Sequence, residues 1–445
     1  MRFLSTRDAR VSADFPGALT QGLAPDGGLY VPERWPALDT AALARAADAG
    51  DSAAAFAGSA GRLAGLGAQL IAPFAADSAL EPALAQITAE AFDFPAPLVP
   101  LTDQARLSVL ELFHGPTAAF KDFGARFLAA CLQRLRTEAS APLLMLVATS
   151  GDTGGAVAAA FHGRPGVEVA VLYPRGLVSP TQERQLTCWG GNVRAFAVEG
   201  TFDDCQRLVK EALRDPELRS HRALSSANSI NLGRLLPQTV YYAAASLAVW
   251  RGCGEPASFI VPSGNLGNSL ACIWARRLGM PIREIVLAHN ANRAVPDYLG
   301  SGRWEPRPSI ATLASAMDVG DPSNMERLRG MYPDFEQLRG AVSAGSVDDA
   351  AIRTRIREGF ERYGQVWCPH TATAAEIYER LSPQRRAAGR WVLVATAHAA
   401  KFREIVEPVI GCSVRVPPAL ERLFSRPVRC TALAPELAAL RRELS

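Results

Sequence analysis

Lysine is almost missing from this chain. Of its 47 basic residues only Lys121, Lys210 and Lys401 are lysines. The lysine inside "HGPTAAFKDFG" (114–124) therefore needs a reason beyond positive charge. Charge of one sign is scarce too. The net charge of +3 is too small to argue for nucleic acid or an anionic membrane as a partner. Long apolar runs are absent. Stretches such as "LLMLVA" (143–148) fall far short of the roughly 20 residues a spanning helix needs. The start, "MRFLSTRDAR", lacks the apolar core of a signal peptide. No CxxC pair and no His/Cys spacing typical of zinc occurs, so no metal is expected. The eight cysteines read as reduced, mostly buried thiols. These absences point to a soluble cytoplasmic protein.

What is present fits a large globular core. The 445 residues are 48% hydrophobic, and at roughly 150 residues per domain they suggest two or three domains. A turn-rich start, "GLAPDGGLYVPERWP", leads into an Ala-rich helical stretch around 41–60 and more helix to about residue 92, with no strand–helix alternation. The pattern then changes. Strands are expected at 143–149, 167–173, 193–198, 257–262, 282–288 and 391–396, with helices from 156, at 202–214 and from 269. Strands alternating with helices predict an α/β fold with parallel sheets covered on both faces. Open sheets of this kind bind ligands at the carboxyl ends of their strands.

Two glycine loops sit at such ends. "PSGNLGNS" (262–269) follows a strand and opens a helix, and its residues Gly264, Asn265, Leu266, Gly267 and Asn268 could donate to a phosphate. It carries neither a Walker GK[ST] nor a GxGxxG fingerprint. "TSGDTGGA" (149–156) is a second such loop, where Ser150, Gly151 and Thr153 could hold another anion, such as a carboxylate. Ordinary tight connections and N-caps by Ser150 or Asp152 are the alternative readings. Lys121 beside Phe120 could be desolvated, lowering its pKa and freeing an amine for Schiff-base chemistry. An exposed helix lysine paired with Asp122 is the alternative. Lysine, phosphate loop and carboxylate loop together are the three attachments that a pyridoxal phosphate (PLP) adduct of an amino acid requires.

At this point the residues resemble a known family. "GLAPDGGLYVP", "ELFHGPTAAFKDFGARF", "SGDTGGA", "FDDCQRLVK", "NSINLGRLLPQ", "VPSGNLGN", "MDVGDPSNMERL" and "CPHTATA" are similar, in order, to segments of the threonine synthase family of fold-type II PLP enzymes. The likeness runs nearly end to end and is closer to the long bacterial and fungal branch than to the plant-type branch. It implies a tryptophan synthase β-like fold, with two open, parallel-rich α/β domains and an N-terminal, mostly helical domain. The expected boundaries are 1–94 for the N-terminal domain and 95–445 for the catalytic region, with about 141–230 as a smaller domain.

The resemblance makes Lys121 the Schiff-base and catalytic residue. It implies that Gly264, Asn265, Leu266 and Asn268 hold the cofactor phosphate, and that the Thr396 hydroxyl meets the pyridine nitrogen. Ser150, Asp152 and Thr153 would line the substrate carboxylate and the cofactor's phenolic oxygen. Asn228, Ser229 and Arg234, with Arg184 as a further candidate, would face the substrate phosphate. The implied reaction converts O-phospho-L-homoserine and water to L-threonine and phosphate, by a monomer or homodimer. The family commonly has "TAHPAKF" where this chain reads "TAHAAKF", with Ala399 for the proline. Rival readings are a phospho-lyase releasing 2-oxobutyrate, a non-catalytic PLP-fold binder, and a dinucleotide-dependent oxidoreductase.

Overall fold

The computed structural model describes residues 1–40, 43, 59–101, 106–136 and 142–444. Most of the expected 41–60 helix lies outside them. The N-terminal region holds an antiparallel sheet in which β1 (Phe3–Ser5) is flanked by β2 (Ser12–Ala13) and β3 (Tyr30–Pro32). Strands of two or three residues leave no period to read, and the sequence analysis missed them. Helices Ala60–Ala75 and Leu84–Ala91 follow, as expected.

Two larger sheets carry the rest. One has the order β12 (Ser343–Ser346), β11 (Ile282–His289), β10 (Ala257–Pro262), β13 (Arg390–Ala395), β5 (Leu107–Glu111), β4 (Leu98–Pro100). It is parallel except for β4. The other has the order β14 (Thr431–Leu433), β8 (Val193–Val198), β7 (Val167–Pro174), β6 (Leu143–Ala148), β9 (Ala223–Ser226) and is parallel throughout. Every residue of β6 and of β10 is buried. Strands covered by helices on both faces read as continuous apolar runs, which is why "LLMLVA" and "ASFIVP" were legible. β14 joins the smaller sheet from the C-terminal end of the chain, beyond 141–230.

Both sheets reverse direction once. From β6 the chain winds outward through β7 and β8, then returns to place β9 on the other side of β6. From β10 it winds through β11 and β12, then returns to place β13 on the other side of β10. Each reversal opens a crevice at the carboxyl end of the central strand, where the connecting loops diverge. The loop after β6 is Thr149–Gly151, and the loop after β10 is Ser263–Leu266.

Candidate active site

Lys121 is the first residue of the helix Lys121–Leu135. Backbone pairing to the end of β13 fixes the loop before it. Phe120 N–H donates to the Thr396 carbonyl at 2.9 Å, His398 N–H donates to the Ala118 carbonyl at 3.0 Å, and Ala119 bridges Ala397. Ala118 adopts φ +53°, a left-handed conformation that a non-glycine residue keeps only when its surroundings hold it there. Asp122 is not the partner of Lys121. Its buried carboxylate accepts the Thr117 N–H at 2.9 Å and the Thr117 hydroxyl at 2.7 Å. The amine of Lys121 lies 5.9 Å from the Phe120 ring centroid and faces a cavity of about 1520 Å³. Burial lowers its pKa to about 8; Asp152 opposes the shift, while Arg234 and Lys401 add to it.

The loop after β10 forms one wall of this cavity. Leu266 stands at φ +61° and turns the chain into the helix Gly267–Arg277, whose N-terminus no side chain caps. A Cβ on Gly264 would come within 2.8 Å of the Met317 Cα, so the loop packs against the 315–317 turn at a position only glycine fits. The Asn268 Oδ1 accepts from the Tyr241 and Tyr242 hydroxyls at 2.6 and 2.8 Å. Its Nδ2 is left buried and without a partner. A buried donor without an acceptor is costly unless a ligand completes it. Uncapped N–H groups and this orphaned amide suit the phosphate of a cofactor. The side chain of Asn265 is used elsewhere: it donates to the Ser229 hydroxyl at 2.7 Å and accepts the Ser323 N–H at 2.5 Å.

The loop after β6 forms the facing wall. Thr149 Oγ1 accepts from the N–H groups of Gly151 and Gly154, both at 2.9 Å. The Gly151 N–H is therefore taken, and Gly151 is absent from the cavity wall, where Ser150, Asp152 and Thr153 stand. The alternative reading, an N-cap by Ser150 or Asp152, does not form; Gly151 occupies that position, and no side chain caps the helix Asp152–Phe161. Burial alone would raise the Asp152 pKa. Lys401, Lys121 and His370, with a hydrogen bond from Gln182, instead hold it well below the usual carboxylate range.

Arg234, Asn228 and Ser229 line the same cavity. Arg234 is 2% exposed, not a surface arginine. It donates to the Ala227 carbonyl, and its Nε has no partner. Burial lowers its pKa to about 10, partly offset by Asp122, so it remains a cation at neutral pH. Arg184 is elsewhere: its Nη2 donates to the Phe424 and Arg426 carbonyls, each at 2.6 Å, and it lines no part of the cavity. The expectation that it meets a substrate phosphate is corrected by those two bonds.

Three residues without a role in the sequence analysis belong to this region. His370 lines the cavity and accepts the Ala316 N–H at its Nε2, 3.1 Å away; burial lowers its pKa to about 4 and keeps it neutral. Its signal was "CPHTATA", read only as a resemblance. Buried Arg327 donates to the Tyr30 and Ile230 carbonyls at 2.9 and 2.8 Å, tying the N-terminal sheet to the 228–234 segment. Lys401 forms an ion pair with Asp152 at 2.7 Å. Among the described residues no cluster of three or more His, Cys, Asp or Glu could hold a metal, and no helix is long and apolar enough to cross a membrane. All eight cysteines are free, five of them buried.

Two ligand crevices meeting over one desolvated lysine define a PLP-dependent enzyme of fold type II. The family profile described as "Pyridoxal-phosphate dependent enzyme" matches residues 90–397. Profiles for "Threonine synthase N terminus" and "Threonine synthase, C-terminal" match 2–92 and 371–443. The threonine synthase of Serratia marcescens is 37% identical over 444 residues, covering 100% of this chain and 99% of its own. The crystal structure of threonine synthase from Escherichia coli superposes with a TM-score of 0.89 at 36% identity, covering 100% of this chain and 99% of that one. The PLP-bound threonine synthase of Brucella melitensis gives 0.87 at 34% identity, covering 100% and 98%. The chain belongs to the threonine synthase family, and its cofactor is pyridoxal phosphate.

Proposed function

We propose that this protein converts O-phospho-L-homoserine and water to L-threonine and inorganic phosphate. The observation that carries this reading is the pairing of Lys121 with the buried cation Arg234 in one cavity, between two uncapped helix N-termini.

Gly264, Leu266, Gly267 and Asn268 hold the cofactor phosphate, and Asn265 contributes backbone only, its side chain being engaged. Thr396, which lines the cavity, would meet the pyridine nitrogen through its hydroxyl. Bound pyridoxal phosphate supplies the electron sink that makes C–H bonds near the substrate amine acidic. Lys121 tethers the cofactor and then moves protons at the substrate's Cα and Cβ. A pKa of about 8 leaves a usable share of free amine near neutral pH. Ser150 and Thr153 receive the substrate carboxylate through their hydroxyls, since Thr149 already holds the N–H groups of Gly151 and Gly154. Arg234, Asn228 and Ser229 receive the substrate phosphate and stabilise it as it leaves Cγ. Cγ then takes up a proton to become the methyl group, and water adds at Cβ.

Incubation with O-phospho-L-homoserine, assaying threonine, phosphate and 2-oxobutyrate together, tests the reading. Equimolar threonine and phosphate are expected. Phosphate with 2-oxobutyrate and no threonine would make the enzyme a phospho-lyase.

A further inference from the structure

A chain that almost never uses lysine places two of its three lysines at one site. Lys401 is fully buried. It lies in the turn Ala399–Phe402 that follows β13. Its Nζ is held at 2.7 Å from the Asp152 Oδ1 and at 2.9 Å from the Thr117 carbonyl. Asp152 Oδ1 also accepts the Gln182 Nε2 at 3.0 Å, and Gln185 Nε2 donates to the same Thr117 carbonyl at 3.0 Å. The carboxylate is thus clamped from the side away from the cavity while Asp152 itself lines the cavity with Lys121. Nothing in the proposed chemistry uses Lys401.

We propose that Lys401 is a positioning residue, which fixes Asp152 as an oriented carboxylate, shares its negative charge with Lys121, and so keeps the Lys121 amine from forming a full ion pair of its own. The groups facing the pair are known. Asp152 meets Lys401, Lys121, His370, Gln182 and Cys368, and Lys401 also faces Asp122 and His398. Lys121 meets Asp152, Arg234 and Lys401. His370, with its pKa near 4, stays neutral above pH 6, and Arg234 stays charged to about pH 10. Between those limits the charges of Asp152 and Lys401 act on Lys121 in opposite directions. Removing the Lys401 charge leaves Asp152 with Lys121 as its nearest cation and strengthens proton binding at Lys121. Removing the Asp152 charge does the reverse.

The inference rests on Lys121 being the cofactor lysine but not on the identity of the substrate. Two titrations test it in the full chain: the visible absorption of the holoenzyme against pH, and the rate of trace acetylation of Lys121 in the cofactor-free protein. Exposed Lys210 serves as internal reference for the second. Lys401→Met is expected to raise the Lys121 midpoint by about one unit, a roughly five-fold drop in labelling at pH 8. Asp152→Asn is expected to lower it by about one unit, a roughly five-fold gain at pH 7. The double variant should return towards the parent. A change in labelling amplitude at every pH with an unmoved midpoint makes Lys401 merely structural and overturns the proposal. Where Lys401→Met does not fold, Asp152→Asn decides alone: an unmoved or raised midpoint overturns it. Cofactor attachment at another lysine would refute the Lys121 assignment instead, and substrate turnover bears on neither result.

Discussion

At the scale of single residues, the chemistry is set by which buried polar atoms lack a partner. The Arg234 Nε and the Asn268 Nδ2 are both buried donors without acceptors. Each stands at a position where the account puts a phosphate, one from the substrate and one from the cofactor. Arg234→Ala removes charge-assisted bonds worth roughly 1.5–3 kcal/mol each. It should lower kcat/KM for O-phospho-L-homoserine about ten- to several-hundred-fold, with cofactor absorbance unchanged. Arg234→Lys should recover little, because one ammonium cannot reproduce a guanidinium fork. Steady-state kinetics beside an absorbance scan check both. Unchanged turnover in Arg234→Ala would return Arg234 to a structural role as donor to Ala227. The sequence made Lys121, Asn268 and Arg234 legible because each sits in a motif. It could not reveal that Asn265 and Gly151 are engaged by Ser229, Ser323 and Thr149, because those bonds join segments distant in sequence or depend on one loop's geometry. Arg184 misled for the same reason: its partners lie some 240 residues further along.

At the scale of elements, legibility followed burial. Strands β8 and β10 and the helix Phe202–Arg214 fall where apolar runs and periodicity put them. β12, "SAGS", holds no large apolar residue and is a strand only because β11 pairs with it. The loop after β10 was legible as a glycine turn, but its reason was not. Gly264 is pressed against the Met317 backbone, which no motif reveals. Gly264→Asp therefore combines a clash with a carboxylate beside the cofactor phosphate. Near-complete loss of bound PLP is expected, with far-UV circular dichroism retained; tight PLP binding by the variant would put the phosphate elsewhere. Ala399 opens the short turn Ala399–Phe402, and that turn forms without the proline common in the family because the His398 Nδ1 accepts the Ala400 N–H at 3.1 Å. Proline suits the first position of a helical turn, so Ala399→Pro should stabilise the protein by about 0.4–1 kcal/mol. Thermal unfolding of the variant measures this, and a lowered Tm would mean that the turn does not accept the ring.

At the scale of the whole molecule, two sheets each contribute a crevice and the N-terminal region is tied to both. Arg327 reaches from Tyr30 to Ile230, and Asn324 donates to the Asn265 carbonyl at 2.9 Å. Burying polar groups on this scale has a consequence for pH. Folding lowers the pKa of His289 to about 3 and of His370 and His398 to about 4, in each case chiefly by burial. A base with a depressed folded pKa contributes stability that is present above its unfolded value near 6.5 and is lost as pH falls towards the folded value. Asp318 acts oppositely: burial raises its pKa to about 7, so it favours the fold on acidification from there down to the unfolded carboxyl's value of about 4. Three histidines outweigh one carboxyl, so Tm should fall between pH 7 and pH 5. A Tm that rises over that interval would show these histidines to be accessible to protons in the fold. The central claim is that both crevices converge on Lys121. Borohydride reduction of the holoenzyme followed by peptide mapping tests it most directly, and with only three lysines in the chain the answer is unambiguous. The reduced cofactor is expected on the peptide that contains Lys121; its recovery on Lys210 or Lys401, or on no lysine, would refute that convergence.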